Sequence, residues 1–370
     1  MSPRVAASGS RILIAGGGTG GHLMPALSVA EALRAMPAGF EPVLIGAERG
    51  VEARILPQRN FRYHLLPAEP IYRRQWWKNV RWSFTGFNLL SKLSKLFREE
   101  HPVAVLGTGG YASAPVVWWA SRLGIPCAIQ EQNAYPGLSN RWLAKRVQEI
   151  YLGLPEAMGH FDKGTAAKMI DTGNPIAPPT PARAEHARQR FGIKPGRRTV
   201  LITGGSQGAL AINQAVAEWI GAGEPRSVDI IWVTGSGTYE QFKHFHEPPH
   251  LQVISFLDPM ADGYAVADLV VSRAGMITIA ELCAWGLPSI LVPLPTAAAD
   301  HQTGNARAME MAGAASLMPQ SDLTGKRLGD EIERLFEFPV ARREMADQAR
   351  KRGRPDAARD IAARLAALAG

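Results

Sequence analysis

The chain has 370 residues, 46% hydrophobic and 20% charged, a balance that suits a soluble globular protein with room for two domains and excludes a fibrous or disordered chain. Its two cysteines, Cys127 and Cys283, each lie in an apolar segment, which argues against a disulfide framework and suits a reducing cytoplasm. Formal charge is +8 and the sequence pI about 9.6, so an anionic partner is expected: nucleic acid, a membrane surface or a phosphorylated substrate.

Residues 11–15 (RILIA) read as a short buried strand that runs into the turn GGGTGGH at 16–22 and a helical pattern over 23–36. No apolar stretch of signal-peptide type precedes that strand, so none is expected. Gly16, Gly18 and Gly21 satisfy G-x-G-x-x-G, a dinucleotide fingerprint that is weak by itself. A dehydrogenase would further need an acidic residue at the end of the second strand, where Glu48 comes late, and a hydride-transfer partner, which is not evident.

Strand-length runs follow at 42–46, 62–66, 102–106, 126–130, 149–152 and 168–171, mostly separated by helix-length segments. That alternation predicts a parallel, doubly wound sheet. Residues 102–121 and 282–299 are charge-free and long enough to suggest membrane spans, but Gly107, Gly109, Gly110 and Pro115 break the first, and Gly286, Pro288, Pro293 and Pro295 the second. Each reads as strand, loop and helix.

Between Glu69 and Glu99 there is no acidic residue, while Arg73, Arg74, Lys78, Arg81, Lys92, Lys95 and Arg98 supply seven positive charges. Tyr72, Trp76, Trp77, Trp82, Phe84 and Phe87 are interleaved, and apolar residues at 87, 90, 93 and 97 make a helical stripe, part of it core. Single-stranded nucleic acid and an anionic bilayer both accept such a mixture. Three Trp within seven residues favour the bilayer, with Trp76, Trp77, Lys78, Arg81 and Trp82 at its surface and no nucleic acid as partner.

Gly107-Thr-Gly-Gly-Tyr111 and Glu131-Gln-Asn133 put polar side chains at the carboxyl ends of two strands, where open α/β sheets bind ligands, and His22 would join them. The proline-dense run 173–179 is a breaker, and the pattern restarts with a strand at 199–203, the loop GGSQGA at 204–209 and a helix over 210–220. Further strands are expected at 229–234, 251–255, 268–271, 289–292 and 314–317. The expected architecture is α/β, with two Rossmann-like, doubly wound domains facing a cleft: residues 1–173, residues 174–345, and a helical tail over 346–370 packing back on the first.

Residues 272–305 carry the most chemistry. After a strand, Ala274-Gly275 opens a helix over 276–284 whose first N–H groups, at 275–278, would face an anion such as a diphosphate, with the Thr278 hydroxyl beside them. Glu281 lies one turn further on and suits the two hydroxyls of a ribose, while Asp300, His301, Gln302 and Asn305 suit those of a sugar.

Two motifs compete. His246-Glu-Pro-Pro-His250 matches H-E-x-x-H, but its prolines preclude the helix a zinc site needs. Gly204-Gly-Ser206-Gln-Gly208 matches G-x-S-x-G, so an α/β-hydrolase with Ser206 as nucleophile, Asp268 and His301 is an alternative that leaves the first glycine loop and Glu281 unexplained.

The segments GGGTGGH (16–22), GTGGY (107–111), QEQNAYPGLSNRWLAKR (130–146), TGNPI (172–176), TGGSQGALAIN (203–213), and SRAGMITIAE through DHQTGNA (272–306) closely resemble, in order, the bacterial MurG glycosyltransferases. That resemblance implies a GT-B fold and transfer of N-acetylglucosamine from UDP-N-acetylglucosamine (UDP-GlcNAc) to lipid I, giving lipid II for peptidoglycan. It implies peripheral attachment to the cytoplasmic face of the inner membrane, other cell-wall synthesis proteins as partners, and no cofactor. A diacylglycerol glycosyltransferase of the same fold is the nearest alternative.

Carried over by motif, Thr19, Gly20, Gly21, Tyr111 and Asn133 become substrate contacts of the first domain. Ser206 becomes a diphosphate ligand, Leu257 the backbone contact to uracil, Met276, Ile277, Thr278, Ile279, Ala280 and Glu281 the diphosphate and ribose segment, and Gln302 the GlcNAc reader. Where the family pattern has an apolar residue and Arg after Gly-Asn-Pro, this chain has Ile176-Ala177, so a cation is missing there. An inverting transfer needs a base for the acceptor hydroxyl and a stabiliser for the departing diphosphate. His22 and Glu131 are the candidate bases; the helix start at 275–278 with Ser206 takes the second role without a metal, since no Asp-x-Asp pair is present.

Overall fold

The computed structural model describes residues 9–18, 20–69, 82–205, 207–223, 228–297 and 300–370, with the side chains of 82–85 outside that description. Thr19, Trp76, Trp77, Lys78, Arg81 and Ser206, and the side chain of Trp82, therefore lie outside the described residues. The chain forms two compact units, residues 1–177 with 356–370, and residues 178–355.

The first unit is a seven-stranded sheet: β1 (Arg11–Ala15), β2 (Glu41–Ala47), β3 (Arg62–Leu66), β4 (Ala104–Gly107), β5 (Cys127–Glu131), β6 (Glu149–Leu152) and β7 (Met169–Asp171). Its order is β3-β2-β1-β4-β5-β6-β7, and every pairing is parallel. Helices α1 (Gly20–Arg34), α2 (Glu52–Ile55), α3 (Trp82–Glu100), α4 (Ser113–Arg122) and α5 (Leu138–Leu143) make the connections. Strand β1 shows why the sheet is covered on both faces. Ile12 and Ile14 join one apolar cluster and Leu13 and Ala15 the other, as period-two side chains of a doubly covered strand must. Each such fully buried Ile or Leu contributes about 1.5–3 kcal/mol.

The second unit repeats the plan with β8 (Arg198–Thr203), β9 (Val228–Val233), β10 (Leu251–Ile254), β11 (Leu269–Ser272), β12 (Ser289–Leu291) and β13 (Ser316–Leu317), ordered β10-β9-β8-β11-β12-β13 and all parallel. Its helices are α6 (Ala184–Phe191), α7 (Leu210–Gly221), α8 (Tyr239–Phe242), α9 (Met260–Val266), α10 (Met276–Trp285), α11 (His301–Met311), α12 (Gly325–Glu337) and α13 (Pro339–Arg352). A last helix, α14 (Ala357–Ala369), returns to the first unit, where Ile361 and Leu365 enter the cluster of Ile12 and Leu27 and Arg364 forks onto Glu149 at 2.9 and 2.8 Å.

Each of the thirteen expected strands is present, with ends displaced by a residue or two. The last is the most shortened, because α11 runs to Met311 and Gly313, at φ 67°, takes the turn before it. The stripe on α3 divides: Leu93 and Phe97 are buried, whereas Phe87 is 80% exposed and Leu90 40%. Among the described residues no helix is long and apolar enough to cross a membrane.

Candidate active site

In the second unit the chain reverses direction across the sheet between β8 and β11, and a cavity of about 680 Å³ opens at the carboxyl ends of those strands. Ligands of open α/β sheets bind at such a switch point, and the volume falls within the usual range for small-molecule sites. The glycine loop after β8 supplies one wall, and Gly275 and Thr278 at the start of α10 another; Gln302 closes a third. Gly208, at φ 81°, must be glycine, because a Cβ there would collide with the Thr234 carbonyl oxygen. Gly275, extended at φ −70° and ψ 136°, is the N-cap of α10, so the first-turn N–H groups are directed at the cavity wall as an anion site requires.

Within the segment 276–281 the roles divide by burial. Met276 and Ile279 turn into the core, which leaves their backbone as the only part able to meet a ligand. Glu281 does not line the cavity; its carboxylate lies against α9, where the Tyr264 hydroxyl donates to Oε2 at 2.8 Å. Burial pushes the Glu281 carboxyl up to about 7, against the hydrogen bond from Tyr264. Leu257, 3% exposed, packs beside the same helix at Gly263. Gln302 Oε1 accepts the Leu294 N–H at 3.0 Å, which leaves its amide nitrogen to donate. Asn305 is fully buried and donates to the Ala274 carbonyl at 3.3 Å, so it shapes the site rather than reading a sugar.

Arg273 was not singled out from the sequence. Arg273 lines the cavity, and its guanidinium donates to the carbonyls of Val292 and Pro293 at 3.2 and 3.0 Å and to Gln320 Oε1 at 2.7 Å. Burial lowers its pKa, yet a guanidinium remains charged at neutral pH. It is a fixed cation in the cavity wall. Ala177 is an exposed residue of the first unit.

In the first unit the switch point lies between β1 and β4, and the two glycine loops interlock there. A Cβ on Gly110 would strike the Gly17 carbonyl, one on Gly18 would lie 2.6 Å from the Tyr111 ring, and one on Gly109 would lie 2.6 Å from the His22 ring. Thr108 Oγ1 donates to the His22 carbonyl at 2.8 Å, and Gln132 Nε2 donates to the Thr108 carbonyl at 2.9 Å. Gly20, Gly21, His22, Tyr111 and the 131–133 strand end are thereby brought to one sheet edge.

Glu131 is 2% exposed and both its oxygens are taken up. Oε1 accepts the Asn133 N–H at 3.0 Å and its Nδ2 at 3.3 Å; Oε2 accepts the Gly137 N–H at 3.0 Å and Asn140 Nδ2 at 2.8 Å. The carboxylate therefore organises the loop 131–140, and Asn133 is held to it.

The competing motifs separate in space. Asp268 caps the amino end of β8 by accepting the Thr199 N–H at 2.8 Å, about 13 Å of strand from the glycine loop at the other end. No hydrolase triad can use it. His246 Nδ1 accepts the Val253 N–H at 3.0 Å, while His250 Nδ1 bonds Asp229 at 2.8 Å, so the two histidines serve different partners.

Two α/β units, each with glycine loops at its switch point, and in the second a helix start and an arginine beside a ligand-sized cavity, are the architecture of an enzyme that handles a nucleotide-linked substrate; the comparisons with known proteins narrow this to a glycosyltransferase. Residues 12–152 match the glycosyltransferase family 28 N-terminal domain and residues 199–361 its C-terminal domain. Over 364 residues the chain is 39% identical to a UDP-N-acetylglucosamine--N-acetylmuramyl-(pentapeptide) pyrophosphoryl-undecaprenol N-acetylglucosamine transferase of Prosthecochloris aestuarii, covering 97% of this chain and 99% of that one. A protein of the same name from Salinibacter ruber is also 39% identical, covering 97% and 96%. The crystal structure of Acinetobacter baumannii MurG superposes with a TM-score of 0.76 at 26% identity, covering 96% of this chain and 99% of that one. The chain belongs to the MurG family of glycosyltransferases.

Proposed function

We propose that this chain transfers N-acetylglucosamine from UDP-GlcNAc to the C4 hydroxyl of the N-acetylmuramyl residue of lipid I, with inversion at the anomeric carbon. The acceptor oxygen bonds to that carbon as the carbon–oxygen bond to UDP breaks, and the hydroxyl proton passes to a base. One observation carries the donor half: Thr278 and Gln302, which the family resemblance assigns to UDP-GlcNAc, line a single cavity with Gly275 and Arg273.

The α10 N–H groups and the Arg273 charge stabilise the departing diphosphate, in the role that the missing cation at 177 leaves open. Glu281, one turn along α10 from Thr278 and outside the cavity wall, accepts the ribose hydroxyls where the donor extends past the cavity toward α9, through the oxygen that Tyr264 does not use, and the Gln302 amide nitrogen donates to the sugar. His22 is the base. Glu131 already accepts four hydrogen bonds from its own loop and serves to hold Asn133 toward the acceptor. Residues 71–98 bring the first unit to an anionic membrane surface as a peripheral attachment on the cytoplasmic face; the exposed apolar side chains of Phe87 and Leu90 on α3 support that reading.

Transfer of radiolabelled GlcNAc from UDP-GlcNAc to a lipid I analogue tests the proposal, with UDP-glucose and a diacylglycerol acceptor in parallel. Product only from the GlcNAc and lipid I pair is expected. Turnover only with diacylglycerol would leave the donor assignment standing and overturn the acceptor.

A further inference from the structure

Glu52 opens α2 with no exposed surface, a carboxylate buried inside the first unit. Oε1 accepts the Gly18 N–H at 2.6 Å and the Ala47 N–H at 3.2 Å, which ties the glycine loop to the end of β2. Three glycines give it room. A Cβ on Gly17 would fall on Oε1 and one on Gly50 on Oε2, while one on Gly46 would lie 2.6 Å from the Glu52 Cβ. Burying a carboxylate costs several kcal/mol unless hydrogen bonds offset it, so an apolar side chain would fill this space with less penalty. What the side chain adds is a short, directional hold by Oε1 on the Gly18 N–H, while Oε2 lies buried without a hydrogen bond among the described residues.

From that N–H the contacts run on to the proposed base. Gly17, against Oε1, donates its N–H to the Gly109 carbonyl at 3.4 Å, and Gly109 in turn abuts the His22 ring. We infer that Glu52 is a positioning residue for the transfer reaction: its side-chain oxygen is the acceptor that the 16–18 glycine loop binds, and it holds that loop, and through Gly109 the His22 ring, in the reacting geometry. The Gly18 N–H is consequently committed to a protein carboxylate and is not offered to the diphosphate of either substrate, although the spacing of Gly16, Gly18 and Gly21 imitates a dinucleotide fingerprint.

The kinetic half of this inference rests on the transferase reading above. In the full-length protein Glu52→Ala is expected to lower kcat roughly 10- to 100-fold with the UDP-GlcNAc KM held within about twofold, the signature of a displaced catalytic group. Glu52→Gln, whose amide oxygen accepts the same two N–H groups, is expected to restore most of the rate. Wild-type kcat in Glu52→Ala would overturn the inference, as would a loss confined to the donor KM, or Glu52→Gln failing as badly as Glu52→Ala. Should Glu52→Ala not fold, Gly17→Ala carries the test: its Cβ displaces Oε1, so the same selective loss of kcat is expected, and an unchanged kcat sinks the idea. Hydrogen exchange at the Gly18 amide needs no turnover. In Glu52→Gln it should stay within about threefold of wild type, and in Glu52→Ala or Gly17→Ala rise at least about tenfold, as loss of a buried hydrogen bond predicts. An amide unaffected by either of the disrupting variants refutes the hold itself; if wild type shows no transfer but the exchange behaves as stated, only the transferase reading fails.

Discussion

The Tyr264 hydroxyl donates to Glu281 Oε2 at 2.8 Å, joining two residues seventeen positions apart on neighbouring helices. Burial raises the Glu281 carboxyl to about 7, and the tyrosine is what opposes it. In the proposed role ionised Glu281 would accept the ribose hydroxyls, and the protonated form presents one acceptor fewer. Donor affinity should therefore rise with pH through about 7. Tyr264→Phe removes a bond to the charged form, worth about 1.5–3 kcal/mol, and should move the midpoint upward by roughly one to two pH units at about 1.4 kcal/mol per unit. The UDP-GlcNAc Kd measured from pH 5.5 to 9 in both proteins checks this. Superimposable profiles would exclude Glu281 from donor binding. The stability linkage runs in the opposite sense: a carboxyl raised on folding stabilises below its unfolded value, and that contribution is lost as pH climbs to about 7.

His22 and Glu281 should fail differently. His22→Ala is expected to lower kcat by about 100-fold or more with little change in donor affinity, because a base acts in the transition state. Glu281→Ala should chiefly raise the donor KM. Steady-state kinetics with both substrates varied separates the two, and an intact kcat with equal donor-binding losses in both variants would remove the assignment.

How far these residues could be read from letters follows from the reach of their contacts. Buried parallel strands write themselves as short apolar runs, and glycine loops as spacing, so the two sheets and the helix start after Gly275 were legible. Glu131 was legible as a polar residue at a strand end but its hydrogen bonds were not, because four contacts within its own loop depend on which way one side chain turns. Glu52 and Arg273 were not visible at all. Glu52 meets Gly18 across 34 positions and Arg273 meets Gln320 across 47, and neither separation leaves a periodic trace. Asn305 carries the same lesson: its polarity suggested a ligand, and the structure has its Nδ2 donate to a backbone carbonyl 31 positions away.

Gly329 sits inside α12, where replacing glycine by alanine ordinarily stabilises a helix by up to about 1 kcal/mol. Here a Cβ would lie 2.5 Å from the Trp219 ring on α7, itself 2% exposed and unable to retreat. Overpacking costs about 1–3 kcal/mol and wins. Gly329→Ala should unfold at lower denaturant concentration than wild type, and a gain in stability would show that α7 and α12 are not packed this closely.

Asp262 sets the behaviour in acid. Its side chain is fully buried on α9, with Arg183 Nε and Arg190 donating to its two oxygens at 2.6 Å each. Burial alone would raise its pKa, but the two hydrogen bonds and charges overcome that and hold the carboxyl below its ordinary value. The sign follows from linkage: a depressed carboxyl contributes stability above its unfolded pKa, near 3.8, and loses it as pH falls through the folded value. Both arginines are about a third exposed, so solvent screens part of the attraction and the whole arrangement is worth about 1–3 kcal/mol rather than the sum of two fully buried pairs. Asp262→Asn keeps the shape and removes the charge. It should be less stable than wild type at pH 7 by about that amount, and the difference should shrink as the pH is taken below 4, where the wild-type carboxylate begins to protonate. Denaturant titrations at pH 7, 5, 4 and 3 measure this directly. A gap that stays constant down to pH 3 would mean that the charge of Asp262 is not what holds Arg183 and Arg190.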